Sequence, residues 1–250
     1  VAYQGHIVMR GFRPIVDSTM AEYIFRKADV VISQNETTRR YASRFRPRRM
    51  ITIPQGVDLD RFEPREEGEA VAFVAARLVP QKGGEIFVKA VPKVIEEIGK
   101  ARFMVIGEGV QKRYLENLAY DLGVAEYIEF VGRIPHMKVP EYLEQAKIVV
   151  FPSEIPTGLA LLEAAAMKRA IIAVRNTWTV DSLGDAPVYV SALDPEETAH
   201  AIAYLLKNDD KRKAVADLVH ERVGPEQDWD IVASKHLEIY SQLVDEKLTS

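Results

Sequence analysis

The chain contains no cysteine, so neither a disulfide framework nor a thiolate site is open to it. It has no run of about 18 apolar residues, which argues against a membrane-spanning helix, and no signal-peptide pattern opens it. A reducing cytoplasm is the expected setting. The five histidines, at 6, 136, 200, 220 and 236, are too scattered to suggest a metal-ligand set. Two Asp-x-Asp strings, Asp58-Leu59-Asp60 and Asp228-Trp229-Asp230, invite a metal reading, but a hard divalent ion needs further oxygen ligands. The first lies in a turn-rich segment and the second opens a helix, where aspartates favour the N-terminus, so both are read as structural.

What is present is 250 residues, 47% of them hydrophobic, enough for one large core or two smaller ones. Charge is unevenly placed, with ten Lys/Arg against four Asp/Glu in residues 1–50 and 23 against 33 in the rest. That asymmetry suggests two structural units. The basic string "TTRRYASRFRPRR" carries Arg39, Arg40, Arg44, Arg46, Arg48 and Arg49. It reads either as a solvated helix end and loop or as an attractor for phosphate or anionic lipid, giving peripheral membrane contact. No groove-reading motif accompanies it, so nucleic acid is not an expected partner. The chain starts on valine rather than methionine, and upstream sequence is expected.

Short β-branched runs alternate with helical patterns. Strands are predicted at 29–33, 50–54, 71–76, 102–107, 127–132, 147–152, 170–174 and 187–191. Helices are predicted near 17–28, 35–44, 83–98, 109–122, 137–145, 158–167, 195–206, 208–221 and 227–246. Continuous apolar strands alternating with helices predict an α/β protein with a doubly wound, Rossmann-like parallel sheet. Ligands bind such sheets beyond the carboxyl ends of the strands. The likeliest boundary is the charged, turn-rich segment 54–70.

Three strand ends offer chemistry. After "VAFVAA", Arg77 and Lys82 flank a turn that opens a helix at Gly83 and Gly84, which suits a diphosphate: a guanidinium fork, a point charge and free N–H groups. After "RFMVIG", Gly107 and Gly109 begin a G-x-G pattern, but Lys112 stands at the third glycine, so a nicotinamide site is poorly supported. The glycines still allow close backbone approach, so that loop can line a pocket. After "KIVVFP", Thr157 or Ser153 can cap a helix whose first N–H groups, at Gly158 and Leu159, suit an anion. Glu163 lies inside that helix, sharing a face with Leu159 and Met167. It is either a rim glutamate that reaches water or a carboxylate held there by hydrogen-bonding partners.

The strings "IPQGVDLDRF", "ARLVPQKGG", "VIGEG", "IEFVGRIP", "VVFPSEIPTGLALLEAAA" and "DWDIVASKHLEIYSQL" occur in this order over roughly 190 residues. The ordered set resembles the donor-binding C-terminal domain of the retaining GT-B glycosyltransferases of family 4. The resemblance implies a sugar nucleotide (UDP-, GDP- or ADP-sugar) as donor, a lipid or glycan hydroxyl as acceptor, and neither cofactor nor metal. It implies diphosphate contacts from Arg77 and Lys82 and a ribose contact from Glu163. Base contacts would come from Arg133 and the Ile134 backbone, and a phosphate-binding turn from Thr157, Gly158 and Leu159. Residues 1–55 would close an acceptor domain, 56–226 would bind the donor, and 227–250 would form a helix packing back toward the N-terminal part. A chain with so little of the acceptor domain is expected to be nearly inactive alone.

There are departures from the family pattern. Its two glutamates stand eight positions apart, and eight before Glu163 is Ile155, with Glu154 one further. Either Pro156 reshapes the loop so that Glu154 serves, which is the expectation, or the sugar-contacting carboxylate is absent. Gln55 replaces a usual asparagine, and His6 is only a soft match to a histidine near the transferred sugar. The alternatives are a nucleotide-binding module, an inactive donor domain, or a GT-B-type sugar-nucleotide epimerase.

Overall fold

The computed structural model describes residues 13–155 and 158–249, except for the side chains of residues 13–18. His6, Pro156 and Thr157, all singled out above, lie outside the described residues. The chain forms two compact units: one from the residues through Gly56 together with those from Pro225 onward, the other Val57–Gly224.

The first unit holds α1 (Arg13–Lys27), β1 (Val31–Ser33), α2 (Glu36–Ser43) and β2 (Met50–Thr52). Its strands pair in parallel, Val31 opposite Met50 and Ser33 opposite Thr52. Because side chains alternate across a strand, Val31 and Ile32 face opposite sides. Val31 packs with Phe25 and Ala42, and Ile32 with Ile53, Val232 and Ile239 of the C-terminal helix 229–248. In the basic string, Arg39 and Arg40 pair with Glu36, while Arg49 reaches Gln242 and Glu246. Much of that charge is thus used within the unit.

The second unit is a single sheet of β3 (Ala70–Arg77), β4 (Arg102–Glu108), β5 (Ile128–Gly132), β6 (Ala146–Phe151), β7 (Ala170–Val174) and β8 (Val188–Val190). All pairs are parallel, in the order β5-β4-β3-β6-β7-β8. The crossovers are α3 (Gly84–Ile98), α4 (Lys112–Asp121), α5 (Val139–Glu144), α6 (Leu159–Ala166) and α7 (Thr177–Leu183). They are followed by α8 (Pro195–Lys207), α9 (Asp209–His220) and, in the first unit, α10 (Trp229–Leu248). Alternation in β3 sorts the cores: Ala70, Ala72 and Val74 face a cluster with Leu143, Leu161 and Leu162, whereas Val71, Phe73 and Ala75 face Phe87, Val91 and Leu115. Helices therefore cover both faces, as the doubly wound reading requires. Winding reverses between β3 and β6, which places the topological switch point at their carboxyl ends.

One helix, α7, went unforeseen. It is short and rich in β-branched residues, so its intrinsic propensity is poor. It forms because the Asn176 side chain accepts from the Thr179 N–H at 2.9 Å and because Trp178 and Leu183 are buried. Before β3, segment 57–69 is held to this unit by two buried arginines. Arg169 donates to the carbonyls of Met167, Ala146 and Arg65, and Arg212 pairs with Glu67 and Asp209.

Candidate functional site

At the switch point, β3 ends on the exposed Arg77, and the chain passes through a 3-10 turn, Pro80–Lys82, into α3. Gly83 ends that turn at φ 77°, and a Cβ there would lie 2.1 Å from the Pro152 carbonyl oxygen at the end of β6. Only glycine suits both constraints. The buried Ser153 hydroxyl donates toward the carbonyls of Gln81, at 2.7 Å, and Ile155, at 2.9 Å. Asn176, while capping α7, donates its Nδ2–H to the Ser153 carbonyl at 3.2 Å. The loops after β3, β6 and β7 are therefore tied together, and Lys82 is carried on the tied part. The expectation that Ser153 caps α6 is corrected: its hydroxyl is committed to the Lys82 turn and its own loop. Gly158 takes the N-cap position without a side-chain bond.

Lys82 is half-buried, and its ammonium is held below its ordinary pKa, first by burial and then by the Arg77 guanidinium. Two cations are thus brought together at a strand end, beside the start of a helix. Gly158, at φ 74°, leads into Leu159 and α6, whose first N–H groups emerge at the same end of the sheet. Glu154 stands exposed on the loop between.

Glu163 is 4% exposed, in a helix whose neighbouring Leu161, Leu162 and Ala164–Ala166 are also buried. It is not a rim residue. Its Oε1 lies 2.6 Å from Nε2 of His136, in the turn after β5. Burial pushes the carboxyl pKa up; the His136 hydrogen bond and charge, and then the Arg61 charge, oppose that rise. Arg133 is exposed and Ile134 half-buried against the core, both between Gly132 and His136.

Several of these features were not read from sequence. The Asp58 string is a turn: Asp58 accepts from the Arg61 N–H at 3.0 Å and pairs with its guanidinium at 2.8 Å, which brings Arg61 toward Glu163. Phe62 is buried, with its ring centroid 5.7 Å from that of His136. Asp228 caps α10 through the Asp230 N–H. Gly107 has a packing reason, since a Cβ there would sit 1.8 Å from the Ala75 carbonyl oxygen of β3. Lys112, at the third glycine position, pairs with Glu108 at 3.1 Å. The one available cue to the Glu163 partner was a histidine two residues past Ile134.

Among described residues, no helix is long and apolar enough to cross a membrane. A family profile described as glycosyl transferases group 1 matches residues 69–208. The GDP-mannose-dependent alpha-(1-6)-phosphatidylinositol monomannoside mannosyltransferase of Mycobacterium tuberculosis is 29% identical over 255 residues, covering 92% of this chain and 66% of that protein. This chain thus spans just under two thirds of that relative's length. Sucrose-phosphate synthase from Thermosynechococcus elongatus superposes with a TM-score of 0.79 at 23% identity, over 93% of this chain and 62% of that one. A mutant of S. aureus TarM in complex with Fondaparinux, alpha-GlcNAc-glycerol and UDP gives 0.77 at 20% identity, over 90% of this chain and 46% of that one. At such identities the likeness speaks for the fold. With the profile spanning more than half of its residues, the chain belongs to the group 1 glycosyl transferases.

Proposed function

We propose that the chain supplies the donor site of a retaining, family 4-like glycosyltransferase that moves a hexose from a nucleotide diphosphate to an acceptor hydroxyl. The observation that carries this reading is the paired cation site of Arg77 and Lys82, fastened through Gly83 and Ser153 to the loop that starts α6. In the reaction the bond from the sugar anomeric carbon to the diphosphate oxygen breaks, with its electron pair going to the leaving phosphate. The acceptor hydroxyl attacks from the same face and its proton passes to the leaving phosphate oxygen. Arg77, Lys82 and the first N–H groups of α6 stabilise the negative charge that develops there, and no metal is needed. Glu163 receives the ribose hydroxyls, Arg133 and the Ile134 backbone the base, and Glu154 the sugar. GDP-mannose is the first donor to assay, with a lipid-linked or glycan acceptor, given the name of the mycobacterial relative.

The test is calorimetry of UDP and GDP binding, in chelator and again with magnesium. Equal affinity in the two buffers is expected. Binding that occurs only with magnesium would overturn the assignment of diphosphate neutralisation to Arg77 and Lys82.

A further inference from the structure

The donor-site reading leaves a physical problem at Glu163, because a carboxylate buried among alanines and leucines rotates and protonates unless a donor holds it. The donor is His136. Its Nε2 lies 2.6 Å from Oε1, and since an ionised carboxylate only accepts, Nε2 is the nitrogen that bears the proton. Among the described residues no hydrogen bond reaches the second oxygen, Oε2. One oxygen is thereby committed to the protein and the other left available.

The histidine is itself held. It opens a 3-10 turn, His136–Lys138, directly after Pro135, and its ring lies against the buried Phe62. Phe62 is placed by its N–H bond to the Asp58 carbonyl at 2.9 Å, in the same turn that carries Arg61. The imidazole is nonetheless 53% exposed at the side chain, so it sits where a ligand could lie beside it rather than in the core. Three separate stretches of chain, 58–62, 132–138 and α6, therefore converge on one carboxylate. A glutamate serving only the fold would not need its one donor among the described residues to stand half in solvent.

We propose that His136 is the positioning residue of the nucleoside subsite: it fixes the Glu163 carboxylate and directs Oε2 to the ribose diol. This rests on the donor-site reading, and the experiment separates the two. UDP and GDP, and their 2′,3′-dideoxy counterparts, are titrated against wild type, His136→Leu, His136→Gln, Glu163→Gln and the double variant His136→Leu with Glu163→Gln. Wild type should prefer the natural nucleotides about tenfold, the worth of roughly one hydrogen bond to a charged group. His136→Leu should lose most of that preference while binding the dideoxy compounds within about twofold of wild type, because its defect is confined to the diol. His136→Gln, whose amide can donate to Oε1, should restore most of it, and the double variant should be no worse than Glu163→Gln alone.

If wild type binds neither natural nor dideoxy diphosphates, the donor-site reading fails and the proposal with it; if it binds them equally, the ribose assignment of Glu163 fails while the diphosphate site stands. If wild type discriminates and folded His136→Leu still discriminates fully, the positioning role fails while the donor site stands. An equal loss for both ligand types in His136→Leu and His136→Gln would mean a general structural role and would also overturn the proposal. Thermal melts of each variant identify loss through unfolding, and the Gln variant keeps the test decisive if the Leu variant does not fold.

Discussion

Lys82→Met keeps the length and apolar stem of the side chain while deleting its charge, so it isolates what the cation costs the fold and what it gives the ligand. In the unliganded protein the ammonium is pushed below its ordinary value of 10.5 by burial and by Arg77. A base with a depressed folded pKa binds its proton less tightly folded than unfolded, so stability rises with pH across the window up to 10.5, and the full cost is present at neutral pH. Lys82 is only half-buried, which limits the effect of removing the charge to about 0.5 kcal/mol of added stability, or roughly 1–2 °C. Binding should move the other way. Losing one charge-assisted contact to the diphosphate costs about 1.5–3 kcal/mol, a factor of roughly 10–150 in affinity. Thermal shift in UDP or GDP reads both terms at once. Wild type at 100 times its Kd should gain about 2.7 kcal/mol, roughly 5–11 °C, while a variant weakened about 30-fold gains only about 0.9 kcal/mol at the same concentration. A variant that melts lower without ligand and shows the wild-type shift with it would refute the reasoning, because Lys82 would then serve the fold and not the anion.

Two further outcomes follow from buried charges. Burial raises the Glu163 pKa above 4.5, so the folded form holds the proton more tightly and stability falls as pH rises above that value. Glu163→Gln retains an acceptor for His136 and removes this cost, so its melting temperature at pH 7 should equal or exceed that of wild type, while affinity for natural nucleotides drops about tenfold. A fall of several degrees in the unliganded variant would contradict this. Arg169→Met strands three backbone carbonyls, those of Met167, Ala146 and Arg65, and should cost about 3 kcal/mol in urea unfolding. Nucleotide affinity of the folded fraction should stay near wild type, and an unchanged urea midpoint would remove the arginine from the list of fold determinants.

The repeat of apolar strands and amphipathic helices was legible in the chain because burial on both faces of a parallel sheet writes itself locally, as in "VAFVAA" and "KIVVFP". The strand-end loops were legible for the same reason, and with them the places to look for Arg77, Lys82 and Glu163. Helix α7 was not, since a capping asparagine and two buried side chains outweigh a poor local propensity only once β7 and its neighbours are in place. Nor was it evident that Ser153, 72 positions from Gln81, would tie two loops together, or that His136 would reach Glu163 across 27 positions. Periodicity and composition report which face a residue shows, a property of its near neighbours in the chain. The partner of a buried carboxylate is decided by which loops the sheet order brings to the same strand ends, and that order arises only when β3 and β6 pair at the centre of the sheet.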